Sequence, residues 1–124
     1  MTAYSGIKVL IVEDEGLVAL MIEDMLQDLG CEVIASVARV SEASGIAATA
    51  EINLAVLDIN LAGQPSFPVA EILRDRGVPF IFSTGYGREG LPHQFTGSPV
   101  LGKPFSASDL QRTMAKALDC PAID

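Results

Sequence analysis

The sequence predicts an α/β fold: a doubly wound parallel sheet of five strands with helices on both faces. Two observations lead there. Short apolar runs alternate with longer segments whose apolar residues recur at helical spacing, and the connections between them are short. Parallel strands joined through helices cross over right-handedly, which leaves few topologies.

The first strand is read at Ile7–Val12, and Glu13, Asp14 and Glu15 follow it at once. A helix comes next, in "GLVALMIEDMLQDLG". There Val18, Met21, Ile22, Met25 and Leu29 fall at i, i+3, i+4, i+7 and i+11 as one packed face, and Gly30 closes it. Cys31–Ala38 is the second strand, and Ser41 is placed to cap an alanine-rich helix through about Ala50. Leu54–Asp58 is the third strand and ends on another acid. A loop with Gly63 and Pro65 leads to a helix that opens at Ser66 or Phe67, before Pro68, and stops at Gly77. Val78–Thr84 and Pro99–Leu101 supply the last two strands. Between them, the glycines and prolines of "GREGLPHQFTGSP" predict a short or irregular fourth helix. In the last helix Ser106 and Asp109 stand three apart, as in a capping box, and Leu110, Met114, Ala117 and Leu118 share one side.

A chain of 124 residues fits one domain, and 49% hydrophobic against 19% charged residues marks it as globular rather than disordered. No apolar run is long enough to span a bilayer, and "MTAYSGIK" has no signal-peptide pattern. Sixteen acidic against eight basic residues give a formal charge of −8, which disfavours nucleic acid as a partner, since phosphates need basic neutralisation. Cys31 and Cys120 lie far apart without metal-type partners. They read as free thiols and point to the cytoplasm.

The C-terminal ends of parallel strands share one edge, where ligands bind. The first strand would deliver Glu13 and Asp14 there, the third Asp58, the fourth Thr84 and the fifth Lys103. Packed carboxylates repel unless a cation compensates them, and hard oxygen ligands suit Mg²⁺. The Asn60 carbonyl would complete the protein's share of the coordination. Such a site suits phosphoryl transfer, with a carboxylate as nucleophile, Lys103 balancing the phosphoryl charge and Thr84 donating a hydrogen bond to it.

The strings "VLIVEDE", "LAVLD", "FSTGYG" and "LGKPF", in this order, resemble the receiver domain of bacterial response regulators, and the resemblance runs from about Ile7 to Leu118. It implies the flavodoxin-like strand order 2-1-3-4-5, with the domain at residues 5–120, a tail at 121–124 and no output domain. Asp58 is then the phosphoacceptor, and Glu13, Asp14, Asp58 and the Asn60 carbonyl hold the metal. Thr84 is the switch hydroxyl and Lys103 the phosphate-pairing lysine. Gly85 leaves room for the phosphoryl group, and Lys103–Pro104 is the family's cis peptide. "FSTGYG" and the weak fourth helix further resemble a subgroup of stand-alone receivers named for an F-A-T-G-Y-like string, with Ser83 in place of the alanine. Two positions depart from the family. Val100 replaces the usual switch aromatic, and Ala62 stands where a proline is common. With Val100 aliphatic, Tyr86 is expected to take over part of the aromatic reporting, and Tyr86, Val100 and Phe105 mark the switch and partner face.

The resemblance implies a single-domain response regulator that takes a phosphoryl group from a histidine kinase or phosphotransfer protein and signals to a separate downstream protein. A homodimer through the same face is open. Rival readings are a phosphate sink that drains a kinase and a docking module indifferent to phosphorylation. An aspartyl-phosphate phosphatase is disfavoured, because its pair of aspartates one residue apart is missing after the first strand. Taken singly, each strand-end residue has a bland reading as a cap or a solvated side chain. Glu15 keeps that reading, and His93, with no second ligand nearby, is given no role. Five such residues in the right order are hard to assign to chance.

Overall fold

The computed structural model describes residues 4–85 and 91–119. Its elements run β1 (Lys8–Val12), α1 (Gly16–Asp28), β2 (Glu32–Val37), α2 (Val40–Thr49) and β3 (Leu54–Asp58), followed by the two-residue strands β4 (Asn60–Leu61) and β5 (Gln64–Pro65). Then come α3 (Phe67–Asp75), β6 (Phe80–Thr84), a 3₁₀ turn at His93–Phe95, β7 (Val100–Gly102) and α4 (Ala107–Asp119). The main sheet has the order β2-β1-β3-β6-β7 and every pairing in it is parallel. With the small β4–β5 ribbon set aside, that is the expected order 2-1-3-4-5.

Alternation along the strands divides the core in two. Leu10, Val12, Ala55, Leu57 and Phe82 face α2, α3 and the 3₁₀ turn, where they meet Ala43, Ala47, Val69, Leu73 and Phe95. Val9, Ile11, Val56, Ile81 and Leu101 face α1 and α4, against Ile22, Leu26, Leu110 and Met114. β3 is buried along its whole length, as the central strand of a doubly covered sheet must be. Burying one such aliphatic side chain contributes about 1.5–3 kcal/mol.

Several local expectations hold. Gly30 and Gly77 adopt positive φ (93° and 75°) just past α1 and α3, where a left-handed residue ends a helix without steric cost. The capping box of α4 is reciprocal: the Asp109 amide donates to Ser106 Oγ at 3.1 Å, and the Ser106 amide to Asp109 Oδ2 at 3.0 Å. The Lys103–Pro104 peptide is cis. The described part of the fourth connection is the 3₁₀ turn, in keeping with a weak fourth helix.

Three expectations need correction. Ser41 does not cap α2. The N-cap is Arg39, with extended backbone and no side-chain cap bond, so Ser41 lies inside the first turn. Met21 is not in the packed face of α1: it is 49% exposed, while Ile22 and Leu26, one turn apart, are buried. Leu17, Leu20 and Met21 form a second apolar stripe at i, i+3 and i+4, which faces solvent. Finally, the loop with Gly63 and Pro65 is an antiparallel hairpin pairing Asn60 with Pro65 and Leu61 with Gln64. Its two turn residues, Ala62 and Gly63, have φ of 52° and 91°. Positive φ at both central positions is the type I′ pattern that matches strand twist.

Candidate functional site

The C-terminal edge of the sheet gathers the residues expected there. Val12 is the last residue of β1, and the Glu13 amide donates to the Val37 carbonyl of β2 at 2.9 Å. This ties the chain down as it leaves the sheet. Glu13 is buried and Asp14 exposed, and Asp58 at the end of β3 retains 9% of its surface. Ligand oxygens of these three carboxylates lie within 4.8 Å of one another. Thr84 ends β6 and is buried at 4% exposure, and its carbonyl accepts the Lys103 amide at 2.8 Å. That bond sets the lysine beside the threonine. Asp14, Asp58, Asn60, Thr84, Gly85 and Lys103 line one open cleft of about 500 Å³.

Lys103 organises the charge. Its Nζ donates to Glu13 Oε1 at 2.9 Å and stands 3.5 Å from Asp58 Oδ2 and 3.9 Å from Glu15 Oε1. The second oxygen of Glu13 accepts the Glu15 amide at 3.1 Å. Asp14 Oδ2 accepts the amide of Ala62 from the hairpin turn at 2.9 Å. Burial raises the Asp58 carboxyl to about 7, the Glu13 carboxylate adds to the shift, and Lys103 opposes it. Burial alone would lower the Lys103 ammonium, but its hydrogen bond to Glu13 and the charge of Asp58 outweigh this and raise it.

This donor set fits a divalent cation. One lysine stands among the three carboxylates of Glu13, Asp14 and Asp58, and the Asp58 carboxyl is raised first by burial and then by the neighbouring Glu13 charge. All the ligands are hard oxygens, as Mg²⁺ prefers. Leu61 pairs with Gln64 beside the turn and the Ser66 amide donates to the Ile59 carbonyl at 2.9 Å, so Asn60 and Pro65 form a non-hydrogen-bonded pair and the Asn60 carbonyl points away from the partner strand.

The expected switch and partner residues are less concentrated. Val100 is half-buried beside Phe82 and packs into the α2/α3 core. Phe105 is half-buried on the other side and lines an apolar groove of about 350 Å³ with Val18, Met21, Ile22 and Pro104. Tyr86, and Cys120 as well, lie outside the described residues. Glu15 is exposed, as expected of a helix-start acid, yet it also borders the cleft.

Two features escaped the sequence reading. One is the hairpin, whose amide reaches Asp14. The other is a cluster of phenylalanines below Thr84. Phe82 meets Phe80 and Phe95 edge-on at 5.4 Å between centroids and Phe67 at 5.8 Å, and Arg74 lies 5.2 Å over Phe95. The aromatic residues were visible in the sequence. Their convergence from β6, α3 and the 3₁₀ turn was not.

A five-stranded doubly wound sheet with an acidic, lysine-bearing cleft at its C-terminal edge defines a class of signalling module. The family model for the response regulator receiver domain matches residues 9–115, and the chain belongs to that family. It is similar to the phyllosphere-induced regulator PhyR of Methylorubrum extorquens, with 32% identity over 95% of this chain and 46% of PhyR. The chain spans about half the length of the curated relatives it matches. Among solved structures, SdrG from Sphingomonas melonis Fr1 shares 39% identity, covering 95% of this chain and 99% of SdrG at a TM-score of 0.82. The receiver domain of sensor histidine kinase PA1611 from Pseudomonas aeruginosa PAO1 carries a magnesium ion in its active-site cleft. It matches at 27% identity over 92% of this chain and 98% of that one, with a TM-score of 0.79.

Proposed function

We propose that this receiver is a Mg²⁺-dependent phosphoacceptor that takes a phosphoryl group onto Asp58 from the phosphohistidine of a histidine kinase or phosphotransfer protein. The observation that carries the reading is the placement of Asp58 in an open cleft, 3.5 Å from Lys103, with Glu13 and Asp14 within metal-sharing distance. A carboxylate oxygen of Asp58 attacks phosphorus as the P–N bond to the donor imidazole breaks. The imidazole leaves with the electron pair and takes up a proton, and Asp58 becomes an acyl phosphate. Lys103 pairs with the phosphoryl oxygens and the Thr84 hydroxyl donates a hydrogen bond to one of them. Glu13, Asp14, Asp58 and the Asn60 carbonyl would hold Mg²⁺, which supplies charge neutralisation for the transferring group.

A phosphohistidine must come within bonding distance of Asp58, so the donor protein has to dock on surface bordering the cleft. The apolar groove of Met21 and Phe105 shares Glu15 and Lys103 with the cleft, and Leu17 (79% exposed) and Leu20 (53%) extend the apolar surface of α1 beside Met21. Exposed apolar patches mark interaction sites when they are contiguous. The added charge, roughly −1.5 to −2, would then gate binding to a separate downstream protein in the cytoplasm. This domain is a switch that modifies itself rather than a turnover enzyme.

The test is intact mass after incubation with acetyl phosphate, with and without Mg²⁺, for wild type and Asp58→Asn. One phosphoryl adduct that requires both Mg²⁺ and Asp58 is the expected result. An adduct of equal yield on Asp58→Asn would sink the assignment.

A further inference from the structure

The residue after the phosphoacceptor strand that departs most plainly from the family pattern is Ala62, and its backbone shows what the departure accomplishes. Its N–H donates to Asp14 Oδ2 at 2.9 Å, across 48 residues of sequence. Its φ of 52° lies in the left-handed region. Proline satisfies neither condition, because its ring fixes φ near −65° and removes the N–H. The turn is also held on both sides. Leu61 is buried in the α2/α3 core at 2% exposure, and the Gly63 amide donates to Asn60 Oδ1 at 2.9 Å.

We propose that Ala62 is a positioning residue for the divalent-cation site. Its main-chain N–H holds one oxygen of Asp14 and so presents the other to the cation. The inference rests on the metal-binding reading above and deepens it. A carboxylate has lone pairs enough on two oxygens to serve a hydrogen bond and a metal together. Asp14 needs such a partner more than its neighbours do. Glu13 is buried and fixed on both oxygens, by Lys103 and the Glu15 amide, and Asp58 is walled in at the end of β3. Asp14 is exposed, and without the hairpin its side chain would sample rotamers that point the carboxylate into solvent. Outer partners that orient metal ligands are worth about 10–100-fold in affinity. The same hairpin carries Asn60, so one ribbon would align two of the expected ligands.

The experiment is titration of the full chain with MgCl₂ by isothermal titration calorimetry, for wild type, Ala62→Pro and Ala62→Gly. Ala62→Gly keeps the N–H and accepts positive φ, and its Mg²⁺ Kd should stay within about threefold of wild type. Ala62→Pro should raise the Kd about 10–100-fold. The ester variant, with lactic acid in place of Ala62, deletes the N–H without the proline ring. It should weaken binding about as much as Ala62→Pro and separates the lost bond from any misfolding of the turn. An ester variant that binds Mg²⁺ as tightly as wild type overturns the proposal. So does an equal loss in Ala62→Gly. A wild type that binds no Mg²⁺ at all overturns the metal reading itself, and this inference with it.

Discussion

The two faces of the sheet are built differently. On the α2/α3 side, Phe67, Phe80, Phe82 and Phe95 interlock edge-on and stacked beneath Thr84. On the α1/α4 side the core is aliphatic, and α1 turns a second apolar stripe outward. Among the described residues the large exposed apolar side chains are Leu17, Leu20, Met21 and Ile34, all on α1 or β2. One face spends its apolar side chains on rigidity under Thr84. The other leaves some of them exposed to solvent, on the helix that follows the acids of the cleft. A single sheet thus separates the support of the site from access to it.

Substitutions can break this comparison. The largest effect is expected at Phe82, which is fully buried and touches the other three rings. Phe82→Ala should cost about 3–5 kcal/mol in urea unfolding. A loss below about 1 kcal/mol would mean that the aromatic cluster is not the rigid face. Next is Leu20→Arg on α1, whose side chain is half exposed. Phosphotransfer from a kinase or phosphotransfer protein should slow about tenfold, the scale of one interface anchor. Acetyl phosphate labelling and stability should stay near wild type, within about 0.5 kcal/mol for the latter. If protein-donor and small-molecule rates fell together, the stripe would be acting on the site and not on docking.

A smaller effect sharpens the contrast from the side of the cleft. The folded protein holds a proton on Asp58 up to about pH 7, above the ordinary carboxylate value of 3.8. In that interval the folded state binds more protons than the unfolded state, so stability falls as pH rises. In EDTA, unfolding free energy should drop between about pH 4 and pH 7 by on the order of 1–2 kcal/mol, after allowance for solvent screening. Asp58→Asn should remove most of that slope, and Mg²⁺ should offset it. A flat profile for wild type in EDTA would show that Lys103 already balances the cleft.

The strand ends were legible in the sequence because each apolar run stops on the residue that matters: Glu13 and Asp14, Asp58, Thr84. Parallel topology then brings them to one edge. The hairpin was not legible, because its turn is Ala62-Gly63 and not the Asn-Gly or Asp-Gly pair that announces a type I′ turn. Met21 was misplaced for another reason. α1 is apolar around much of its circumference, and periodicity cannot say which of two apolar stripes meets the sheet. The Ser41 hydroxyl suits a cap, but Val40 joins the helix first and leaves Ser41 inside the first turn. The aromatic cluster joins residues from distant segments, which no local pattern encodes.

The Ala62 amide also bears on how this chain can vary over time. Residues 14, 62 and 63 are far apart or chemically plain in the linear sequence, yet a turn with positive φ and a donated N–H binds them into one inherited unit. A lineage that acquired proline at 62 would have to rebuild the turn and find Asp14 a new partner at the same time.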